Sequence, residues 1–88
     1  MKIEFKRSFV KDLERVRDKA LRERVKETIE QVERAQTFQE MENVKKLRGG
    51  EQYYRIRIGD YCLGLVLEGD TVVFVRFLHR KDVYRYFP

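Results

Sequence analysis

Two glycine–aspartate pairs punctuate the second half of this chain and largely dictate its architecture. Gly59-Asp60 separates residues 53–58 (YYRIRI) from residues 61–68 (YCLGLVLE), and Gly69-Asp70 separates that run from residues 71–79 (TVVFVRFLH). All three runs are rich in β-branched, aromatic and apolar residues. Two-residue connections that contain glycine join antiparallel strands, because glycine takes up the positive φ that a tight hairpin demands. The second half is therefore expected to be a three-stranded antiparallel meander. Counting back from the first turn pairs Ile58 with Tyr61, Arg57 with Cys62, Ile56 with Leu63 and Arg55 with Gly64. Counting from the second pairs Leu67 with Val72 and Leu65 with Phe74. Side chains alternate between faces. One face then carries Tyr54, Ile56, Ile58, Tyr61, Leu63, Leu65, Leu67, Val72, Phe74 and Leu78, the expected core side. The other carries Tyr53, Arg55, Arg57, Cys62, Gly64, Val66, Val73, Val75, Phe77 and His79, half apolar and basic at one end.

The first half supplies the cover for that core. Residues 2–6 alternate polar and apolar, the pattern of a short half-buried strand. Ser8 stands where a helix N-cap would stand, and Asp12 lies near the positive end of the helix dipole. Phe9, Leu13, Val16 and Ala20 form one helical stripe, and Leu21, Val25, Ile29 and Val32 a second. The phase slips between them, so two helices are expected, over 8–18 and 20–35, in a hairpin. The fold class is α+β: an N-terminal strand, a helix hairpin and a meander, with a short C-terminal helix or turn. The 88 residues hold no repeat and no linker, with proline only at position 88, and read as one domain, 1–88.

Composition removes several function classes. One cysteine allows no internal disulfide, and one cysteine with one histidine cannot supply the usual four ligands of a structural zinc. No apolar run approaches the roughly 18 residues of a membrane span, and the N-terminus does not read as a secretory signal. A cytoplasmic protein is expected. The net charge of +5 is uneven: residues 1–42 carry 11 basic and 10 acidic side chains, residues 43–88 carry 9 and 5, and eight of the eleven aromatics lie in that second part. Cations interleaved with aromatics are the footprint of a nucleic-acid ligand. Charge alone reads more simply as a solvated surface.

Arg55 and Arg57 project from one strand about 7 Å apart, two residues of strand rise. The expected register brings His79 to the same end and face, and Arg80, Lys81 and Tyr84 follow at once. Fixed cations hold a phosphodiester and stabilise charge developing on it. Histidine titrates near cell pH and suits proton transfer. Cleaving RNA without a metal needs a base for the 2′-hydroxyl, a cation for the phosphorane and an acid for the leaving oxygen, and this end of the sheet holds candidates for all three. Read from pattern alone, the cluster is a basic surface.

The stretches Asn43-Val44-Lys45-Lys46-Leu47-Arg48-Gly49, Tyr53-Tyr54-Arg55-Ile56-Arg57-Ile58-Gly59-Asp60-Tyr61 and Val75-Arg76-Phe77-Leu78-His79-Arg80-Lys81-Asp82-Val83-Tyr84 resemble the RelE/ParE superfamily of toxins from type II toxin–antitoxin systems. The resemblance covers essentially the whole chain. It implies a small microbial-RNase-like domain. Its RelE-type members cut messenger RNA in the ribosomal decoding site, without metal or other cofactor, leaving a 2′,3′-cyclic phosphate. It implies a cognate antitoxin, the ribosome and mRNA as partners, and no membrane. By the same resemblance Arg57, His79, Arg80 and Tyr84 are the expected catalytic residues. Lys45, Lys46, Arg48, Arg55 and Lys81 are the expected RNA contacts. Arg57 and Arg80 would stabilise the phosphorane, Arg55 would position the backbone, His79 would move the proton and Tyr84 would orient. Many RelE-type toxins carry arginine directly after the hairpin tyrosine, where this chain has Cys62. A neutral thiol makes no such phosphate contact, so Cys62→Arg is expected to strengthen activity. The resemblance leaves two other functions open: a ParE-like poison of DNA gyrase, and an attenuated domain that only binds its antitoxin.

Overall fold

A computed structural model describes residues 1–47 and 52–88. Five strands make one sheet: β1 (Lys2–Phe5), β2 (Val44–Lys46), β3 (Tyr53–Ile58), β4 (Tyr61–Glu68) and β5 (Thr71–His79), in the spatial order β1-β5-β4-β3-β2. The meander forms as the two turns require, with Gly59 at φ +58° and Gly69 at φ +62°. Pairing of β3 with β4 follows the counted register from Ile58–Tyr61 to Arg55–Gly64. β1 runs parallel to β5, matching Lys2 to Thr71 through Phe5 to Phe74. The edge strand β2 was not legible in the sequence, because three residues with two adjacent lysines show no alternation.

Two helices, α1 (Arg7–Glu14) and α2 (Lys19–Arg34), cover one face. Phe9, Val25 and Val32 bury there against Ile56, Ile58, Leu63, Leu65, Val72, Phe74 and Phe77. Phe5, Phe9 and Phe74 form an aromatic triplet with centroids 5.4–5.7 Å apart. Each large side chain so buried contributes about 1.5–3 kcal/mol. The helix boundaries differ from the expected ones at the connection. α1 stops at Glu14 because Asp18 caps α2, its Oδ1 accepting from the Leu21 N–H at 3.2 Å. Ser8 is not a cap: it lies inside the first turn of α1, and its hydroxyl donates to the Val75 carbonyl at 2.6 Å.

That contact marks the main departure from the counted register. β4 and β5 pair regularly from Glu68–Thr71 to Leu65–Phe74, but Gly64 then pairs with Arg76, leaving Val75 as an extra residue. A bulge of this kind reverses which way later side chains point. Phe77 and His79 therefore lie on the helix face, and Leu78 on the opposite one, the reverse of the expectation. The cause is local. β1 ends at Phe5, so β5 beyond Phe74 has no strand on that side, and α1 takes its place. Asp12, only 8% exposed, accepts from the Arg76 guanidinium at 2.7 and 3.2 Å and from the Phe77 N–H at 3.0 Å. Ser8 and Asp12 together satisfy the edge groups that the bulge turns outward.

The opposite face has a small core of its own. A short helix, α3 (Val83–Tyr86), folds back over it, and Leu47, Cys62, Val83 and Phe87 bury together with Tyr53, Val75 and Leu78 around them. Gly64 makes room for this: a Cβ there would stand 2.8 Å from the Phe87 ring. The tail covers the apolar part of the face and leaves the arginines beside it.

Candidate functional site

Arg55 and Arg57 stand two residues apart on β3, opposite Gly64 and Cys62. Arg80 joins them at the end of β5, where its N–H donates to the Asp60 carbonyl at 2.7 Å. All three guanidiniums lie close enough to Cys62 to favour its thiolate, although burial dominates and pushes the thiol up from its ordinary value. Cys62 itself is 2% exposed beneath Val83 and Phe87. A guanidinium at that position would have to lift α3 before reaching a ligand, so the expectation that Cys62→Arg strengthens activity does not fit this packing.

Each arginine has a polar partner. The Arg55 Nε donates to the Tyr84 hydroxyl at 3.0 Å, and the Arg57 Nε to the Gly59 carbonyl at 2.9 Å. The Arg80 Nε lies 3.9 Å from the Asp60 carboxylate. Tyr84 is 62% exposed, so its ring is open to a ligand while Val83 and Phe87 anchor the chain on either side. Lys45, opposite Arg55 on β2, and Lys46 line a cleft of about 490 Å³ with Leu47, Tyr84, Phe87 and Pro88. Lys81 is exposed just beyond β5. Arg48 lies outside the described residues.

His79 does not join this group. It pairs with Tyr61, packs edge-on to that ring at 5.4 Å, and its Nδ1 accepts from the Lys81 N–H at 3.2 Å. It lines a separate cleft of about 520 Å³ with Asp12, Arg15, Val16 and Leu21 on the helix side. The structure therefore brings together Arg55, Arg57, Arg80, Tyr84 and Lys45, and leaves two expected residues on the other face: His79 at the same end, and Lys46, which pairs with the core-packed Tyr54 and lines the helix-side cleft with Phe38, Met41 and Val44. Sequence reasoning used Asp60 only as a turn residue and missed it as the one acid within 4 Å of a cluster guanidinium among the described residues. Its place in a two-residue turn beside Arg57 was the available signal.

A sheet backed by a helix hairpin, with arginines and a tail tyrosine gathered on its other face, is the architecture of a toxin domain. The chain belongs to the family of the ParE toxin of the type II toxin–antitoxin system parDE, whose family model matches residues 3–84. It is 43% identical, across 89 aligned positions and the full length of both chains, to Toxin RelE3 of Methanocaldococcus jannaschii. Its fold matches the toxin of the RelB-RelE antitoxin-toxin complex from Methanococcus jannaschii with a TM-score of 0.81 and 42% identity, covering 97% of this chain and 99% of that one. The archaeal RelE-RelB complex from Pyrococcus horikoshii OT3 shares the fold at a TM-score of 0.74 and 24% identity, covering 90% and 93%. The protein is a type II toxin. No helix among the described residues is long and apolar enough to cross a membrane.

Proposed function

We propose that the chain is a ribosome-dependent endoribonuclease that cuts mRNA and so stops translation. The observation that carries this is the placement of Arg55 and Arg57 two residues apart on β3, with Arg80 held to the β3–β4 turn beside them and the Tyr84 hydroxyl accepting from Arg55. RNA cleavage by the neighbouring 2′-oxygen places extra negative charge on the phosphorane, and prepositioned guanidiniums stabilise that charge without metal. Arg57 and Arg80 take this part, and Arg55 holds both Tyr84 and the RNA backbone. The 2′-hydroxyl gives its proton to a solvent water as its oxygen bonds to phosphorus and the bond to the 5′-oxygen breaks, giving a 2′,3′-cyclic phosphate and a 5′-hydroxyl. Tyr84, exposed and held by Arg55, is the group best set to pass a proton to the leaving oxygen. Lys45, Arg48 and Lys81 hold flanking phosphates, and Lys46, on the helix side of β2, does not. His79, facing the helices, supports the end of β5 instead of touching RNA.

The partners follow. A cognate antitoxin, a small protein with an acidic or apolar segment, covers the basic face and counters much of the net +5. The solved relative from Methanococcus jannaschii is a RelE bound to RelB. The ribosome and mRNA are the targets, which sets the site of action in the cytoplasm. The family description supports a second reading, a ParE-like gyrase poison. One pair of assays decides: cleavage of mRNA on programmed ribosomes, and supercoiling by gyrase. Cleavage with gyrase untouched is expected. Gyrase inhibition without cleavage would replace this reading with the second.

A further inference from the structure

The β3–β4 turn supplies acceptors to two of the three cluster arginines. Gly59 offers its carbonyl to the Arg57 Nε at 2.9 Å, and Asp60 offers its carbonyl to the Arg80 N–H at 2.7 Å. The Asp60 carboxylate is different in kind. It stands 3.9 Å from the Arg80 Nε, with the two side chains 70% and 51% exposed. At that separation it makes no directional hydrogen bond and acts through its charge. The backbone bond from Arg80 to Asp60 already fixes where the arginine leaves the strand, so the carboxylate adds little positioning. It is a negative group in the space that a phosphodiester would enter. Carboxylate and phosphate are both oxyanions that a guanidinium binds in the same way.

We propose that Asp60 is a built-in competitor for the RNA phosphate at Arg80: its carboxylate occupies that guanidinium in the free toxin and must be displaced when RNA binds. This rests on the reading of the cluster as an RNA site and adds an affinity-limiting residue to it. An exposed ion pair is weak and readily exchanged. The carboxylate therefore weakens RNA binding without blocking it, and it partly neutralises the free site.

The test is binding of the full chain to a 2′-O-methylated single-stranded RNA oligonucleotide, which it cannot cut, followed by fluorescence anisotropy over a series of KCl concentrations. Asp60→Asn should lower the Kd about two- to fivefold at low salt, the range set by an exposed pair. Freeing one more cation should steepen the slope of log K against log salt by about 0.7, the value for one phosphate on a single strand. Asp60→Ser, which also suits the turn, should behave alike. Both gains should vanish when Arg80→Ala is added. Binding that is unchanged or weaker in Asp60→Asn overturns the proposal, as does a gain that survives Arg80→Ala, since that would be a general effect of net charge. Failure of the unaltered chain to bind the free oligonucleotide overturns this inference, as does binding with no gain in Asp60→Asn, whereas the ribosome-dependent ribonuclease reading falls only if mRNA on programmed ribosomes is left uncut.

Discussion

Replacing Asp12 by alanine should unfasten the bulge in β5. The carboxylate is 8% exposed and accepts three hydrogen bonds: two from Arg76, at 2.7 and 3.2 Å, and one from the Phe77 N–H at 3.0 Å. The ion pair also raises the Arg76 guanidinium above its ordinary value, chiefly through its hydrogen bond to Asp12. Breaking a fully buried pair costs about 3–5 kcal/mol. Arg76 is 28% exposed and can turn toward water, so its share must be reduced. The Phe77 N–H has no such escape and loses a charged acceptor, about 1–3 kcal/mol. The sum is about 2–4 kcal/mol. In a domain of this size 1 kcal/mol moves Tm by about 4–8 °C, so Asp12→Ala should lower it by roughly 10–25 °C. Asp12→Asn keeps an oxygen for Phe77 and should lose about half as much. Thermal unfolding of the free chain followed by circular dichroism measures both. A fall of less than about 3 °C in Asp12→Ala would show that the bulge does not depend on this carboxylate.

Four further outcomes can be checked. Arg57→Ala and Arg80→Ala should each lower kcat for ribosome-bound mRNA by about 10²–10³, the usual effect of losing a transition-state donor, whereas Arg55→Ala should act mainly on KM. Tyr84→Phe should cost more rate than His79→Gln in single-turnover cleavage, because only the tyrosine shares a face with the arginines. Gly64→Ala should destabilise by about 1–2 kcal/mol in denaturant unfolding, since the new Cβ meets the buried Phe87 ring at 2.8 Å. Cys62 should resist iodoacetamide at neutral pH in the folded chain. Its thiol is raised by burial, so the folded state keeps a proton that the unfolded state loses; stability should be intact below about pH 9 and fall above it, and Cys62→Ala should flatten that fall.

The meander was legible because glycine turns leave few ways to pair three β runs, and the β3–β4 register follows from counting alone. The arginine cluster was legible for the same reason, since Arg55 and Arg57 share a strand and Arg80 follows the next one but one. Three things were not. β2 has too few residues to show a period. The end of α1 depends on Asp18, which reads as a helix residue until its side chain is seen capping α2. The face of His79 depends on Val75, and nothing in the run VVFVRFLH distinguishes a regular strand from one with an extra residue. The information lies 64 to 67 residues away, in Ser8 and Asp12, whose contacts with Val75, Arg76 and Phe77 exist only after folding.

The bulge makes β5 behave like a reading frame. Up to Phe74 the strand is read in one phase, and beyond Val75 in the other. Flattening the bulge with Val75 kept in the ladder would be a frameshift in three dimensions: Phe77 would move from the helix core to the arginine side and Leu78 would take its place, whereas deleting Val75 would leave both where they are. No surface loop would change length, yet the large ring and its smaller neighbour would exchange compartments. Whether β5 bulges at Val75 therefore decides which residues the helices bury and which side chains share the arginine side, and that choice is held from α1, by Ser8 and Asp12.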